Sequence, residues 1–265
     1  MLIEFEDRLD CRPRYTDGPN PHLYRVLNEG RARYEETLRG YLSLADDFAS
    51  IPLEAPAEDP VPRWNNPFFT GTDAMSLYAM LTLHRPGFYV EVGSGNSTRF
   101  ARRAIQSRRL ATDVVSIDPE PRLEIDGLCD RIIRKPLEQI APEWFDMLQP
   151  RDFLFVDSSH RCFMNSDVTV IMLDILPRLK PGVFVHFHDI FLPYDYPEEM
   201  SQRYYSEQYL LACYLLAGGR RFQVEAPVQF IYRDPELSGI LGPVWQRPEI
   251  APVQMNGGSF WIRML

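Results

Sequence analysis

The stretch from Phe88 to Ile105, which reads FYVEVGSGNSTRFARRAI, places the strongest constraint on the fold of this chain. It begins as an apolar run, breaks at Gly93 and Gly95, and resumes with apolar residues at helical spacing. A strand, a glycine turn and a helix in this order are typical of the unit that opens a nucleotide-binding α/β domain. The glycines permit a sharp turn close to a ligand, and the helix N-terminus offers free N–H groups.

Strand and helix patterns alternate along the chain up to about residue 190, which predicts right-handed crossovers and a parallel sheet. Beyond the first unit, the predicted strands cover residues 114–118, 131–133, 153–157 and 183–189, with shorter pieces at 222–224, 230–232 and 260–264. The predicted helices cover residues 73–83, with Thr72 or Asp73 as N-cap, and residues 142–148, 168–179 and 204–217.

The first 67 residues have a different character. Residues 23–48 show helical spacing and predict one or two helices, broken near Gly40, and a proline-rich stretch follows. The expected organisation is therefore an N-terminal helical extension with a proline-rich linker over residues 1–67, and a larger α/β domain over residues 68–265.

Composition narrows the function classes. The formal net charge of −9 argues against a nucleic-acid partner. The sequence shows neither a signal peptide nor a run long enough to span a membrane. The four cysteines have no C-x-x-C spacing, so a structural zinc site is not indicated and reduced thiols are the default. We expect a cytoplasmic protein with no membrane partner.

Acids and histidines follow the predicted strands. Asp118, Asp157 and the pair His188-Asp189 stand at strand ends, and ligands of parallel sheets bind outside these carboxyl ends. Asp118 lies 25 residues after Gly93, the place of an acid that binds ribose hydroxyls. The alternative for Asp118 is a helix N-cap or a turn before Pro119, and the order of the motifs favours the ribose role.

Two features disfavour a dinucleotide. The third glycine of a G-x-G-x-x-G fingerprint is replaced by Thr98, and Glu91 stands two residues before Gly93. An acid at this position suits a ligand with a cationic centre or an amino group better than a pyrophosphate. S-adenosylmethionine has a sulfonium, an α-amino group and a ribose, and it has no phosphate.

At this point the chain resembles the class I S-adenosylmethionine-dependent methyltransferases. EVGSG at 91–95 matches their first motif, and Ile117-Asp118 matches the acid of the second. FVDSSH at 155–160, PGVFVHFHDIFLP at 181–193 and GGSFWI at 257–262 are similar to the bacterial small-molecule and sugar O-methyltransferases. The resemblance implies an α/β fold with a Rossmann-like, mostly parallel seven-stranded sheet and helices on both faces.

The resemblance also implies site residues. The residues that it places at the cofactor are Glu91, Gly93, Ser94, Gly95, Ser97, Thr98, Asp118 and Leu137. Ser97 and Thr98 would donate to the cofactor carboxylate or cap the helix. The residues that it places on the catalytic side are Asp157, His160, His188 and Asp189, with His160 or His188 as base. A metal-free network is favoured over a divalent cation such as Mg²⁺ held by Asp157, His188 and Asp189.

The resulting hypothesis is methyl transfer from S-adenosylmethionine to a hydroxyl of a sugar or another small polar metabolite. The alternative is a non-catalytic binding or assembly protein that keeps the fold. A nicotinamide-dependent oxidoreductase is disfavoured by Thr98. The expected partner is a small-molecule acceptor, and a homo-oligomer is compatible with the sequence.

Overall fold

The computed structural model describes residues 11–56, 58–69 and 71–265. The described residues contain a seven-stranded sheet in the order β3-β2-β1-β4-β5-β7-β6. Its strands are β1 (Phe88–Val92), β2 (Asp113–Ile117), β3 (Arg131–Ile133), β4 (Phe153–Val156), β5 (Phe184–Phe187), β6 (Phe222–Pro227) and β7 (Phe260–Met264). Strands β1 to β5 pair in parallel, and β7 is antiparallel to both β5 and β6.

The order of the parallel strands places the site. The chain moves outward from β1 to β2 and β3, then returns to the other side of β1 at β4 and continues to β5. Right-handed crossovers in these opposite directions put their connections on opposite faces of the sheet. The predicted fold class is confirmed. The order reverses between β1 and β4, and ligands of open α/β sheets bind at such a switch point.

Helices cover both faces of the sheet and occur from the N-terminal extension to the region after β6. Their bounds are α1 (Pro21–Asn28), α2 (Arg31–Leu42), α3 (Ala45–Ala49), α4 (Gly71–His84), α5 (Asn96–Arg108), α6 (Asp167–Val170), α7 (Glu207–Leu216), α8 (Val228–Arg233), α9 (Pro235–Ile240) and α10 (Gly242–Trp245). Strands β4 and β5 are buried at every position, as expected for strands covered on both faces.

The N-terminal helices pack on the same hydrophobic core as the sheet. Asn20 caps α1 by accepting from the N–H groups of His22 and Leu23. Leu27, Leu38 and Phe48 are buried in that core. Helix α2 contacts α4, β6 and α9, and α1 contacts α7. The helical extension is therefore present, and the boundary between residues 67 and 68 stays a prediction.

Two helix ends differ from the sequence expectation. The N-terminal region forms three helices where one or two were expected, with breaks at residues 29–30 and 43–44, and α2 runs through Gly40, where a break was expected. A glycine inside a helix costs only about 1 kcal/mol relative to alanine, and packing of the helix outweighs that. Helix α4 begins at Gly71, so Thr72 and Asp73 lie in its first turn and neither is its N-cap.

Three other segments depart from the predictions. Residues 168–179 do not form one regular helix, because α6 passes into a π-helical turn over Ile171–Ile175 and a 3-10 turn over Leu176–Arg178. Pro177 lacks the N–H that a regular helix needs. Residues 142–148 form a 3-10 helix, Pro142–Met147. The segment at 230–232, predicted as a strand, belongs to helix α8, since short apolar runs fit either structure.

Of the described helices, none combines the length and the apolar character that crossing a lipid bilayer requires.

Candidate active site

The glycine turn after β1 forms the centre of the switch point. Gly93 has φ +82°, and a Cβ built there would lie 1.8 Å from the carbonyl oxygen of Asp157. Its N–H donates to the carbonyl of Ile117 at 3.0 Å. Only glycine combines this φ with this close approach. Gly95 is different, because a Cβ there would meet no atom within 4 Å. The turn thus has one closed side and one open side.

Asp118 holds the turn from the end of β2. Its Oδ2 accepts from the N–H of Ser94 at 2.8 Å, and its Oδ1 accepts from the N–H of Glu120 at 2.9 Å. The bond to Glu120 forms a turn, which was the alternative interpretation of Asp118. The bond to Ser94 places the carboxylate beside the glycine turn. Arg134, at the end of β3, donates to the Asp118 carbonyl at 3.1 Å. The ribose role of Asp118 stays a prediction.

Glu91 lies beneath the turn and is fully buried. Its Oε1 accepts from the Tyr89 hydroxyl at 2.8 Å, and its Oε2 accepts from Thr98 at 2.5 Å. Burial raises the pKa of Glu91 to about 7, although hydrogen bonds from Ser97, Thr98 and Tyr89 oppose the shift. Glu91 therefore holds the first turn of α5 against β1.

Ser97 and Thr98 are buried with Glu91. The Thr98 hydroxyl also accepts from the N–H of Gly95 at 3.0 Å, which is a capping interaction at the start of α5. Of the two roles that the sequence left open for Thr98, the structure therefore contains the cap. A bond from Ser97 or Thr98 to a cofactor carboxylate stays a prediction.

A second group of side chains lies at the ends of β4 and β5. We call Asp157, His160, His188 and Asp189 the rim cluster. Oδ1 of Asp157 lies 3.3 Å from Nε2 of His160 and 3.4 Å from Nδ1 of His188. Asp189 lies 3.7 Å from the same two nitrogens. The structure thus brings together all four residues that the sequence placed on the catalytic side.

Two carboxylates from elsewhere in the chain complete these contacts. Nδ1 of His160 lies 3.0 Å from Oε2 of Glu207, at the start of α7. Nε2 of His188 lies 3.3 Å from Oδ2 of Asp73, in the first turn of α4. Each histidine therefore lies within 4 Å of three carboxyl groups, and an ionised carboxylate can only accept a hydrogen bond.

These contacts shift the pKa of each histidine upward. Burial by itself would lower the pKa of His160, but its hydrogen bonds with Asp157 and Glu207 raise that pKa well above the usual range. Burial would also lower the pKa of His188, but the charges of Asp157 and Asp189 raise that pKa well above the usual range. Both shifts favour the protonated form of the imidazole.

Asp157 shows the opposite shift. Its surroundings would raise the pKa of Asp157 by desolvation, but the charge of His188 and hydrogen bonds from His160 and His188 bring that pKa well below the usual range. The side chain of Asp157 is 29% exposed and that of Asp189 is 17% exposed, against 4% for His160 and 6% for His188. The two carboxylates are therefore the more solvent-exposed members of the rim cluster, and the two imidazoles are buried.

The structure gives no support for a metal ion at the rim cluster. Within residues 11–56, 58–69 and 71–265, no group of three or more His, Cys, Asp or Glu side chains is arranged to hold a metal ion. The predicted Mg²⁺ site at Asp157, His188 and Asp189 is therefore not supported.

Asp73 and Glu207 were not predicted as site residues. Asp73 was interpreted as a possible N-cap, and Glu207 fell within the predicted helix over residues 204–217 without a site role. Asp73 also accepts from the N–H groups of Gly258 and Ser259, which ties α4 to the start of β7. Asp73 lies 115 residues from His188 and Glu207 lies 47 residues from His160, so no local motif joins either pair.

Leu137 and His186 lie apart from these contacts. Leu137 is buried in the core at the start of a 3-10 helix, Leu137–Gln139, and its expected contact with the cofactor stays a prediction. His186 stacks on Phe155 with 3.9 Å between ring centroids, and its Nε2 lies 2.8 Å from the Ser259 hydroxyl. Burial keeps the pKa of His186 well below the usual range, so this imidazole is neutral.

Two cavities are found away from the rim cluster. One, of about 380 Å³, has Leu192, Tyr209 and Leu216 in its lining. The other, of about 600 Å³, has Tyr232 and Trp245 in its lining. Neither is lined by a member of the rim cluster, so the chemistry at the strand ends defines the candidate site.

The family described as "Methyltransferase domain" matches residues 90–190, from β1 to the end of the rim cluster. This segment, somewhat more than a third of the chain, is therefore similar to a methyltransferase domain. It contains the glycine turn, Asp118 and all four residues of the rim cluster. Asp73 and Glu207 lie outside it, on either side.

Solved structures with related architecture also contain methyltransferases. An O-methyltransferase from Bacillus cereus, in complex with SAH, is 16% identical with a TM-score of 0.44, over 87% of this chain and 90% of that chain. A methyltransferase from Podospora anserina, bound to SAH, is 14% identical with a TM-score of 0.45, over 91% of this chain and 96% of that chain. No curated protein matches the chain.

Proposed function

We propose that this protein transfers a methyl group from S-adenosylmethionine to a hydroxyl of a sugar or another small polar metabolite. The observation that carries the proposal is the position of the rim cluster beside the glycine turn of a methyltransferase domain. Gly93 backs directly onto Asp157, so the turn and the first carboxylate of the cluster are adjacent. A donor at the turn and an acceptor at the cluster would meet there.

The turn has the features that the donor requires. The open side of Gly95 leaves space next to the backbone, and α5 presents N–H groups without intrahelical acceptors in its first turn. The Asp118 carboxylate, fixed by Ser94 and Glu120, retains lone pairs for ribose hydroxyls. When bound, S-adenosylmethionine supplies a methyl group on a sulfonium. Gly93, Ser94, Gly95 and Asp118 would hold it, with Glu91 as the buried support.

The rim cluster has the features that the acceptor requires. Asp157 and Asp189 are the partly exposed acceptors of hydrogen bonds, so a substrate hydroxyl would donate to one of them. This contact orients the oxygen towards the donor and draws the proton away as the new bond forms. His160 and His188 stabilise the carboxylates from behind. As the oxygen–methyl bond forms and the methyl–sulfur bond breaks, the hydroxyl proton would pass to the carboxylate that it contacts.

Calorimetry with S-adenosylhomocysteine tests the donor site. We expect micromolar binding by the wild type and at least tenfold weaker binding by Asp118→Ala, since charge-assisted hydrogen bonds contribute about 1.5–3 kcal/mol. Asp113→Ala is the matched control, because Asp113 is the first residue of β2, at the other end of the strand from Asp118, and pairs with Arg131. No binding by the wild type would refute the proposal.

Methyl transfer is tested with S-adenosylmethionine labelled in the methyl group and a low-molecular-weight metabolite extract. We expect label in a small polar product, and a large loss with Asp157→Asn. A wild type that binds S-adenosylhomocysteine but labels nothing, and whose cellular role survives Asp157→Asn, would instead be the non-catalytic binding protein.

A further inference from the structure

The Glu207 side chain is fully buried and has a single hydrogen-bond partner among the described residues. It is the first residue of α7, outside the methyltransferase segment, and its side chain is completely enclosed. Oε2 lies 3.0 Å from Nδ1 of His160, and Oε1 has no hydrogen-bond partner among the described residues. A buried carboxylate with one partner is costly for a fold to keep. Its position at His160 therefore calls for an explanation.

The start of α7 is docked on the backbone around His160. The N–H groups of Ser206 and Glu207 donate to the His160 carbonyl at 2.8 and 3.2 Å. The Ser206 hydroxyl accepts from the N–H of Cys162 at 2.8 Å. His160 itself has φ +57°, an uncommon conformation for a non-glycine residue. These bonds hold backbone and side chain of His160 in one arrangement.

The consequence appears at the other ring nitrogen. With Nδ1 donating to Glu207, Nε2 is directed at Asp157, 3.3 Å away, and at Asp189, 3.7 Å away. Rotation of the imidazole would break all of these contacts at once. The ring of Tyr205 covers the imidazole with 4.6 Å between centroids.

The comparison with Asp73 separates a structural acid from one that acts on the site. Asp73 joins α4 to β7 through two backbone N–H groups in addition to its contact with His188. Glu207 makes no such connection, because its side chain bonds to His160 alone among the described residues. The only described hydrogen bond of the Glu207 carboxylate is therefore to a member of the rim cluster.

We infer that Glu207 is a positioning residue, which orients His160 so that Nε2 holds the Asp157 and Asp189 carboxylates in place for the acceptor hydroxyl. This inference rests on the proposed methyl transfer for its catalytic meaning. Its geometric content, a Glu207–His160 hydrogen bond that fixes the ring, is independent of any ligand.

Proton and nitrogen NMR of histidine-labelled protein tests the geometry. We expect an exchange-protected imidazole N–H signal that disappears in His160→Gln. Glu207→Gln keeps an acceptor oxygen and should retain the signal at a changed shift, whereas Glu207→Leu should lose it. Glu225→Gln is the matched control, since Glu225 is another buried glutamate, which lies on β6 and pairs with Arg33 and Arg263. An unchanged signal in Glu207→Leu, or none in the wild type, would overturn the inference.

Turnover tests the role in catalysis. With labelled S-adenosylmethionine and the same metabolite extract, Glu207→Gln should lower the rate at saturating donor about tenfold, and Glu207→Leu about a hundredfold, within the range of acid–base contributions. Affinity for S-adenosylhomocysteine should equal that of the wild type in both variants, which also shows that they fold. Wild-type turnover in folded Glu207→Leu would overturn the positioning role.

The two proposals fail separately. A wild type that does not bind S-adenosylhomocysteine refutes methyl transfer and leaves the NMR result on Glu207 and His160 interpretable. A wild type that binds and transfers, with Glu207 variants of equal rate, refutes only the positioning role.

Discussion

Single residues at this site derive their properties from burial as much as from chemical type. Glu91, Asp157 and Glu207 are all carboxylic acids, yet burial raises the pKa of Glu91 and Glu207, and two histidines lower that of Asp157. A side chain is neutral or charged according to the partners that replace its water. Such differences separate an internal support from a group that can meet a substrate.

Glu91→Gln should change how stability depends on pH. The carboxyl has an unfolded pKa near 4.5 and a folded pKa of about 7, so the folded state binds more protons between these values. The stabilising contribution of Glu91 to folding is therefore present at low pH and is lost as the pH rises through 7. The loss amounts to about 3 kcal/mol in the free energy of unfolding. We therefore expect the free energy of unfolding of Glu91→Gln, measured by urea denaturation, to increase relative to that of the wild type between pH 5 and pH 8.

Glu138→Gln provides the control for this comparison, because Glu138 is exposed. Its unfolding free energy should follow that of the wild type at every pH. If the curves of Glu91→Gln and the wild type run parallel, the interpretation of Glu91 as a buried support with a raised pKa is wrong.

At the scale of elements, the connection from β1 to α5 combines a requirement of the fold with one of the ligand site. Gly93 closes against the Asp157 backbone, and Gly95 faces open space. The two glycines belong to one motif, and the sequence suggests the same function for both. Their neighbours in space show that the first glycine is needed for packing and that the second leaves room beside the loop.

Gly93→Ala and Gly95→Ala should therefore differ. The first adds a Cβ at φ +82° against a backbone oxygen, and we expect a loss above about 3 kcal/mol in thermal unfolding. The second adds a Cβ in extended backbone with no atom near it, and we expect stability within about 0.5 kcal/mol of the wild type. Gly95→Ala should nevertheless weaken S-adenosylhomocysteine binding in calorimetry, because the new methyl group occupies the donor's space. Equal stability of the two variants would contradict this reading of the turn.

At the scale of the whole molecule, the N-terminal helices and the sheet share one hydrophobic core. Leu38 of α2 and Phe48 of α3 are buried in the same cluster as Val90 and Phe155 of the sheet. Trp64 lies between Phe48 and Phe100, with ring centroids 6.5 and 5.6 Å away. A residue in the extension can therefore affect the site through packing.

Leu38→Ala should destabilise the whole chain. Leucine-to-alanine changes in a core cost about 2–5 kcal/mol, and a shared core implies one cooperative unfolding transition. Calorimetric unfolding should show a single transition at lower temperature. Glu36→Ala, on the exposed side of the same helix, should leave it unchanged. A separate early transition, with the main one unmoved, would show that the extension folds on its own.

Local sequence pattern was sufficient to predict the elements that form from neighbouring residues. The strand, turn and helix from Phe88 to Ile105 follow from apolar periodicity and two glycines. Asp157 and His188-Asp189 lie at strand ends, and parallel strands bring those ends to one edge. Local pattern failed where short apolar runs fit two structures, as in α8, and where a proline disturbed a helix, as after α6.

Tertiary structure alone decided which side chains complete the site. Asp73 and Glu207 reach His188 and His160 because α4 and α7 pack beside the sheet, across 115 and 47 residues of sequence. It also decided that Glu91 is enclosed and that Asp157 is partly exposed. The physical reason is that charge state and accessibility depend on which atoms replace water around a group, and those atoms come from distant segments.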